Sequence, residues 1–457
     1  MDPFDAVVVG GGVVGTAIAR ELVKAGARTA LLEACDDVGK GTSRANTALL
    51  HSSYDAKPGT LEAKLLHRGF KLMQQYGPSA GIPIEKTGGL LVAWNEEQME
   101  QLPHIRERAN QNNVLDTEIV SRAEVYRRES HLGEGVLGGL LVPEESIICP
   151  FTPTLAYATE FVRNGGSLFL NSPVEDISMV NGGYRLQAGD KTIEGEWIIN
   201  AAGLESDTID HMAEFERFTV TPRRGELIVF DKFARNLLSH IILPVPTAYT
   251  KGVLISPTVF GNVLLGPTAE DLEDKTDTAS SRDGMEGLLE KGRKVMPALL
   301  KEEVTAVYAG LRAATEHSDY QIHMEKDKKY VCVGGIRSTG LSASLGIAEY
   351  VVMKMIQEGF PEKPSTEWHP ARMPYIGEAE LRPYNDPAKI SANPDYGRIV
   401  CHCEKVTLGE IRDSLVSDIP PRNLDGLKRR TRSSFGRCQG FFCIAELQSL
   451  LDGDHTR

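Results

Sequence analysis

Apolar and polar positions mark out a strand-and-helix chain. Asp5-Ala6-Val7-Val8-Val9 is a nearly continuous apolar run, the pattern of a strand covered on both faces. A glycine-rich stretch, Gly10-Gly11-Gly12-Val13-Val14-Gly15, follows it, and residues 16–25 read as a helix. Thr29-Ala30-Leu31-Leu32-Glu33 repeats the strand pattern. Trp197-Ile198-Ile199-Asn200-Ala201-Ala202-Gly203 is an apolar strand ending in small residues, and Tyr330-Val331-Cys332-Val333 leads through a glycine-rich turn into a helix expected from about 344 to 357. Residues 225–230, 252–257 and 262–267 are alternating or short apolar runs bounded by Gly and Pro, which predicts strands. Residues 361–396 are rich in Pro and charge and read as a linker wrapping the surface.

Strand, glycine turn and helix in this order form a dinucleotide-binding fingerprint. Gly10 permits the tight turn, Gly12 lets a pyrophosphate approach the backbone, and Gly15 allows the helix to pack closely on the strand. The helix N-terminus supplies free N–H groups and partial positive charge to the phosphates. Glu33 stands where a ribose hydroxyl is read, and its charge disfavours the 2′-phosphate of NADP. The fingerprint alone does not separate FAD from NAD. The small polar stretch 40–51, the strand end at 200–203 and the turn at 334–341 together favour a flavin, because each lets backbone run close to a long ligand. No second G-x-G-x-x-G occurs, which argues against a separate NAD(P) site in the chain.

A length of 457 residues suggests roughly two to four domains, and 41% apolar content is enough for a substantial core. A net charge of -13 argues against nucleic acid as a partner. The dense basic run Lys428-Arg429-Arg430-Thr431-Arg432 is either a solvated face or a docking patch for an acidic redox partner. No charged leader precedes the first strand, and no apolar run reaches membrane-spanning length. The expectation is a soluble, cytoplasmic protein without a membrane span.

Four cysteines near the C-terminus carry a second chemistry. Cys401 and Cys403 form C-x-C, and Cys438 and Cys443 form C-x4-C. Four thiolates so grouped can hold a [2Fe-2S] cluster, each close pair gripping one iron. The rival is a structural zinc site, which most often uses C-x2-C knuckles; a disulfide framework fits an acidic chain with seven cysteines least. Cys35, Cys149 and Cys332 are scattered singly and read as small buried hydrophobes.

With these motifs the chain resembles the FAD-dependent oxidoreductases of the D-amino-acid-oxidase and glycine-oxidase type, in particular the glycerol-3-phosphate and L-2-hydroxyglutarate dehydrogenase branches. The resemblance covers roughly residues 4–360 and includes Ala48-Leu49-Leu50-His51-Ser52-Ser53-Tyr54, Asn200-Ala201-Ala202-Gly203 and Gly310-Leu311-Arg312-Ala313. Ser53 departs from it, since relatives commonly carry glycine there. The last segment is similar to bacterioferritin-associated-ferredoxin-like [2Fe-2S] domains. The implied fold is α/β: a Rossmann-like FAD-binding domain from residues 1–85, 150–215 and 308–360, an antiparallel-sheet substrate domain from 86–149 and 216–307, the linker 361–396, and a small helical iron-sulfur domain at 397–457. Candidate cofactor-binding residues are Gly10, Gly12, Val13, Val14, Gly15, Glu33, Thr42, Ser43, Ala45, Asn46, Ala48, Leu50, Val174, Ala201, Ala202, Gly203, Gly335, Arg337, Ser338, Thr339, Gly340 and Leu341.

Oxidising a C–H bond beside oxygen or nitrogen needs a group for the leaving proton and an anchor for the substrate. His51 is the candidate base, as a neutral imidazole near physiological pH. Arg312 is the candidate anchor, because guanidinium grips phosphate or carboxylate bidentately. Arg223, Arg224 and Lys251 are weaker candidates for an anionic pocket, and Tyr54 and Tyr249 are more often packing residues. A reduced flavin feeding a distant acceptor needs a one-electron carrier, whereas an oxidase does not. The expected function is therefore an FAD-dependent dehydrogenase oxidising a small anionic secondary alcohol, glycerol 3-phosphate first, and passing electrons through [2Fe-2S] to an external acceptor or a partner redox subunit in a hetero-oligomer. A 2-hydroxy acid such as 2-hydroxyglutarate, or an amino acid or opine, are alternative substrates. An electron-transfer or scaffold subunit of a larger complex is the alternative of another class.

Overall fold

A computed structural model describes residues 3–180, 182–246, 252–363 and 367–453. Its first sheet has eight strands, built from chain segments far apart in sequence. Phe4–Val9 lies at its centre, with Thr29–Leu32 parallel on one side and Lys191–Asn200 parallel on the other. Ser167–Phe169 extends the first edge, and Tyr330–Gly334 joins the end of Lys191–Asn200 in parallel. Alternation within the central strand decides its packing: Ala6 and Val8 enter the core beneath the helices Val13–Lys24, Thr152–Arg163 and Gly340–Gln357, while Val7 and Val9 enter the core on the opposite face. The last of these helices begins at Gly340, earlier than expected, because the glycine-rich turn passes directly into it.

The second sheet has nine strands, among them Gly89–Ala93, Gly138–Val142, Thr221–Phe230, Ile241–Pro244 and Val304–Ala314. It differs from the expected antiparallel sheet at one pairing, since Ile241–Pro244 runs parallel to Gly89–Ala93. The expected boundary at 307/308 also falls inside Val304–Ala314, which pairs with Thr221–Phe230 and so belongs to this sheet. Strand continuity overrides the family-based division there. This register sets Arg312 beside Arg223 and Gly310 beside Gly225.

Residues 399–451 form a small unit: a hairpin of Ile399–Cys401 with Val406–Thr407, then helices Leu408–Leu415, Leu424–Thr431 and Ile444–Leu451. A capping box of Thr407 and Glu410 starts the first helix, and the Asn423 side chain caps the second. Cys401 and Cys443 sit inside its core with Val406, Ile411, Leu427 and Leu447. The segment between this unit and the sheets is pinned at several points: the Ala371 N–H donates to Glu160 (3.0 Å), that of Met373 to Ala80 O (2.8 Å) and that of Glu378 to Val259 O (2.8 Å). Among the described residues, no helix is long and apolar enough to cross a membrane.

Candidate functional site: a flavin crevice and a four-cysteine loop

The glycine turn separates demands of the fold from space left open. Gly10 has φ +107°, and a Cβ on it would stand 2.5 Å from the Ala201 carbonyl oxygen; a Cβ on Gly15 would stand 1.9 Å from the Gly10 oxygen. Backbone packing alone requires those two glycines. Gly12, the N-cap of helix Val13–Lys24, is different: a side chain there would meet only Ser43 Oγ, at 3.3 Å. The volume above Gly12 and the helix N-terminus therefore fits a phosphate group, which the N–H groups and dipole favour. The Val13 N–H donates to Ser43 Oγ at 2.9 Å. Glu33 lies beside the turn and accepts from the Gly11 N–H (2.7 Å) and the Cys35 N–H (2.8 Å), while burial pushes its carboxyl pKa up.

Several of the remaining cofactor candidates lie on segments packed against this turn. Val174 follows residues 171–172, whose N–H groups donate to the Cys35 and Glu33 carbonyls (2.8 and 2.9 Å). The loop 42–50 lies along Val304–Ala314: Thr42 Oγ1 donates to Leu311 O (2.7 Å), Tyr308 OH donates to Asn46 O (2.7 Å), and a Cβ on Gly310 would stand 2.1 Å from Ala45 O. Asn46 closes the loop, donating to Ser43 O (2.8 Å) and accepting from the Ala48 N–H (2.7 Å). Leu50 is buried behind it. Gly335 and Arg337 take positive φ, and Ser338, Thr339, Gly340 and Leu341 bring the next helix start close to Val13 and Val14. Arg337 is committed to an ion pair with Glu62, which also accepts from Thr339 Oγ1 at 2.9 Å.

His51 emerges from this loop with its N–H bonded to Ser342 Oγ (2.9 Å) and its Nδ1 3.0 Å from Glu145 Oε2. Glu145 is completely buried; its other oxygen accepts from both the N–H and the Oγ of Ser52, each at 2.7 Å. Burial alone would lower the His51 pKa, but the charges of Glu145, Asp55 and Glu62 outweigh it and raise it to about 9. That electrostatic environment favours the imidazolium over the neutral imidazole expected at physiological pH. Glu145 was not foreseen. Nothing in Glu144-Glu145-Ser146 distinguishes it from its neighbour, yet Glu144 pairs with Lys71 (2.8 Å) nearer the surface. Ser53 is buried with φ +81°, which explains why glycine suits the position, and Tyr54 is buried in an apolar cluster.

Arg312 projects from Val304–Ala314 across Gly225, where a Cβ would stand 2.3 Å from the guanidinium. Its Nη2 donates to Thr268 O (2.7 Å), and it forms no ion pair among the described residues. Burial, with the neighbouring Arg223 charge, lowers its pKa. The flanking arginines are already paired: Arg223 with Asp271 through two bonds (2.5 and 2.9 Å), Arg224 with Glu270 (2.6 Å). Tyr249 and Lys251 lie outside the described residues.

The C-terminal thiols make side-chain contacts in two pairs that cross the sequence pairs, Cys401 with Cys443 and Cys403 with Cys438. Burial and the adjoining Cys401 push Cys443 up to about 12, and burial with the adjoining Cys438 raises Cys403. Cys438 is lowered in spite of burial, because the N–H groups of Phe442, Gly440 and Phe441 and the Cys403 thiol stabilise its thiolate. The Ser434 N–H also points at Cys401 Sγ (3.4 Å). A loop of N–H donors around soft thiolates fits an iron-sulfur cluster. The basic run beside it is neither of the surfaces anticipated: Arg429, Arg430 and Arg432 are 3%, 8% and 0% exposed, and all three are ion-paired inside the molecule.

A glycine turn at a strand–helix junction, with a four-cysteine unit docked on the adjoining loop at Asp37, fits a flavoprotein that also carries an iron-sulfur centre. Residues 5–353 match the FAD dependent oxidoreductase family and residues 399–453 match the BFD-like [2Fe-2S] binding domain; the chain belongs to the FAD-dependent oxidoreductase family, with FAD and a [2Fe-2S] cluster as its cofactors. It is 35% identical to a glycerol 3-phosphate dehydrogenase of Caloramator mitchellensis over 98% of this chain and 94% of that protein. It is 32% identical to a glycerol 3-phosphate oxidase of Mycoplasma pneumoniae over 80% of this chain and 97% of the relative. The solved structure of a dithionite-reduced L-alpha-glycerophosphate oxidase from Mycoplasma pneumoniae with FAD bound superposes with a TM-score of 0.77 at 30% identity, covering 82% of this chain and all of that one.

Proposed function

We propose that this oxidoreductase is a dehydrogenase for glycerol 3-phosphate, passing electrons through the [2Fe-2S] unit to an external acceptor or partner redox subunit. The observation that carries the reading is Arg312, a half-buried guanidinium that forms no ion pair among the described residues while Arg223 and Arg224 are both paired. A cation so held favours an anionic ligand, and its planar fork suits a phosphate or carboxylate. The glycerol 3-phosphate relatives support phosphate as that anion.

FAD supplies the two-electron acceptor, and the cluster supplies one-electron transfer. The chain's own residues supply the rest. Arg312 binds the anionic end. His51, held through Nδ1 by Glu145, presents Nε2 to the substrate hydroxyl and takes its proton in the neutral form, which grows as pH rises toward about 9. The oxidase matches 80% of this chain, whereas residues 399–453 match a [2Fe-2S] binding domain, which supports an exit for electrons other than oxygen. Beside Cys443, Phe441 and Phe442 are 81% and 76% exposed and mark the face an acceptor approaches. A thiolate-held cluster suits the reducing cytoplasm.

The test is anaerobic mixing of the isolated chain with glycerol 3-phosphate, glycerol, 2-hydroxyglutarate and amino acids, following flavin bleaching and then the cluster spectrum. Bleaching by glycerol 3-phosphate followed by cluster reduction is expected. Bleaching by 2-hydroxyglutarate alone would transfer the role of Arg312 to a carboxylate, and no bleaching by any of them would make the chain a non-catalytic subunit.

A further inference from the structure

The basic run at 428–432 is left without a role by the reaction, yet its arginines are among the most enclosed charges in the chain. Arg430 grips Asp37 with two bonds (2.7 and 2.9 Å), and Arg429 adds a third (2.6 Å) while also donating to Val38 O (2.7 Å). Asp37 is 2% exposed. The approach is close enough that a Cβ on Gly426 would stand 3.1 Å from Asp37 Oδ2. Asn423 at the start of the same helix donates to Asp36, and Arg44 pairs with Asp425 at 3.0 Å. The partner of Arg429 and Arg430 is thus the loop 36–44 of the flavin half, whereas Arg432 pairs with Glu378 and Glu404.

That loop is itself part of the nucleotide crevice. Its Gly39 N–H donates to Gly11 O (2.9 Å), and Cys35 at its start donates to Glu33, the carboxylate that also holds the Gly11 N–H. A continuous chain of bonds therefore runs from the glycine turn through Gly39 and Asp37 to Arg429 and Arg430. Anything that orders the glycine turn and Glu33 also orders the carboxylate on which the helix Leu424–Thr431 is docked.

We infer that Asp37, with Arg429 and Arg430, is a positioning latch that couples FAD binding to docking of the cluster unit. Occupancy of the crevice fixes the loop that fixes the unit, and the docked unit in turn favours FAD, since such a coupling is reciprocal. The inference rests on the reading that FAD lies over residues 10–15 and against Glu33.

The experiment uses the full chain, deflavinated and then reconstituted with FAD, and reads amide hydrogen exchange at residues 10–16 and 424–431 together with the FAD dissociation constant. In the wild type, FAD is expected to slow exchange at both segments, by about tenfold or more at 424–431. In Asp37→Asn, FAD is expected to bind about tenfold more weakly, to protect 10–16 still, and to leave 424–431 unchanged. Arg430→Lys, which keeps the charge and loses the fork, is a milder version for use if Asp37→Asn does not fold, with part of the FAD-dependent protection retained. Equal protection of 424–431 by FAD in wild type and variants would overturn the latch, as would wild-type FAD protecting 10–16 alone; lower thermal stability with unchanged FAD dependence would reduce Asp37 to a structural residue. No protection of 10–16 in the wild type would instead remove the FAD site reading on which the latch stands.

Discussion

Replacing Glu145 with glutamine tests the electrostatics of the candidate base most directly. Glu145, the largest of the charges that with Asp55 and Glu62 raise His51 from 6.5 to about 9 against an opposing burial effect, contributes most of a net shift that at 1.36 kcal/mol per pH unit amounts to about 3 kcal/mol in favour of the imidazolium. The amide keeps an oxygen for the Ser52 N–H and Oγ but places an N–H₂ opposite His51 Nδ1. Two effects should follow. The His51 pKa falls, since the largest of the charges that oppose burial is removed. The remaining imidazole proton moves to Nε2, the wrong tautomer for accepting a proton, for which a loss on the order of 10⁴ is known in catalytic triads. In wild type, kcat/KM should rise with pH toward about 9; in Glu145→Gln that limb should leave the alkaline range and the plateau should drop. Stability carries the same signature with a definite sign. A raised histidine pKa stabilises the wild type fully below 6.5, and this is lost as pH rises through about 9, so the Tm gap between the two proteins should be widest in mild acid and shrink above pH 9. An unchanged alkaline limb in the variant would refute the assignment of His51 as the titrating base.

Three further outcomes are expected. Gly12→Glu should abolish FAD binding while leaving thermal stability nearly intact, because a side chain there meets only Ser43; retention of full flavin content would refute the phosphate position. Cys438→Ser should lose iron and labile sulfide but keep FAD, and stoichiometric zinc without sulfide in the wild type would overturn the cluster. Arg312→Lys should cost about 2 kcal/mol in kcat/KM for the anionic substrate, and Arg312→Ala more, with an uncharged analogue losing little further in the alanine variant; equal analogue penalties in both proteins would move the anion site elsewhere.

The sequence by itself determined the elements whose signal is local. Gly10, Gly12 and Gly15 between an apolar run and a helix are legible because a phosphate-binding turn needs backbone freedom within a few consecutive residues. The four cysteines are legible because soft ligands in close pairs have few other uses. What only the tertiary structure decided is the state and partnership of charged groups. Glu144 and Glu145 are identical in sequence, but packing buries only the second, and that burial sets the charge of His51, far away in the chain. The arginines of 428–432 read as surface because cations ordinarily need water; Asp37 and Glu404, brought in from distant segments, supply the compensating charge that lets them be buried. Strand pairing likewise carried Val304–Ala314 into the second sheet, since hydrogen bonding with Thr221–Phe230 outweighs any boundary read along the chain. Pairing and burial are relations between residues remote in sequence, and a pattern of neighbours does not contain them.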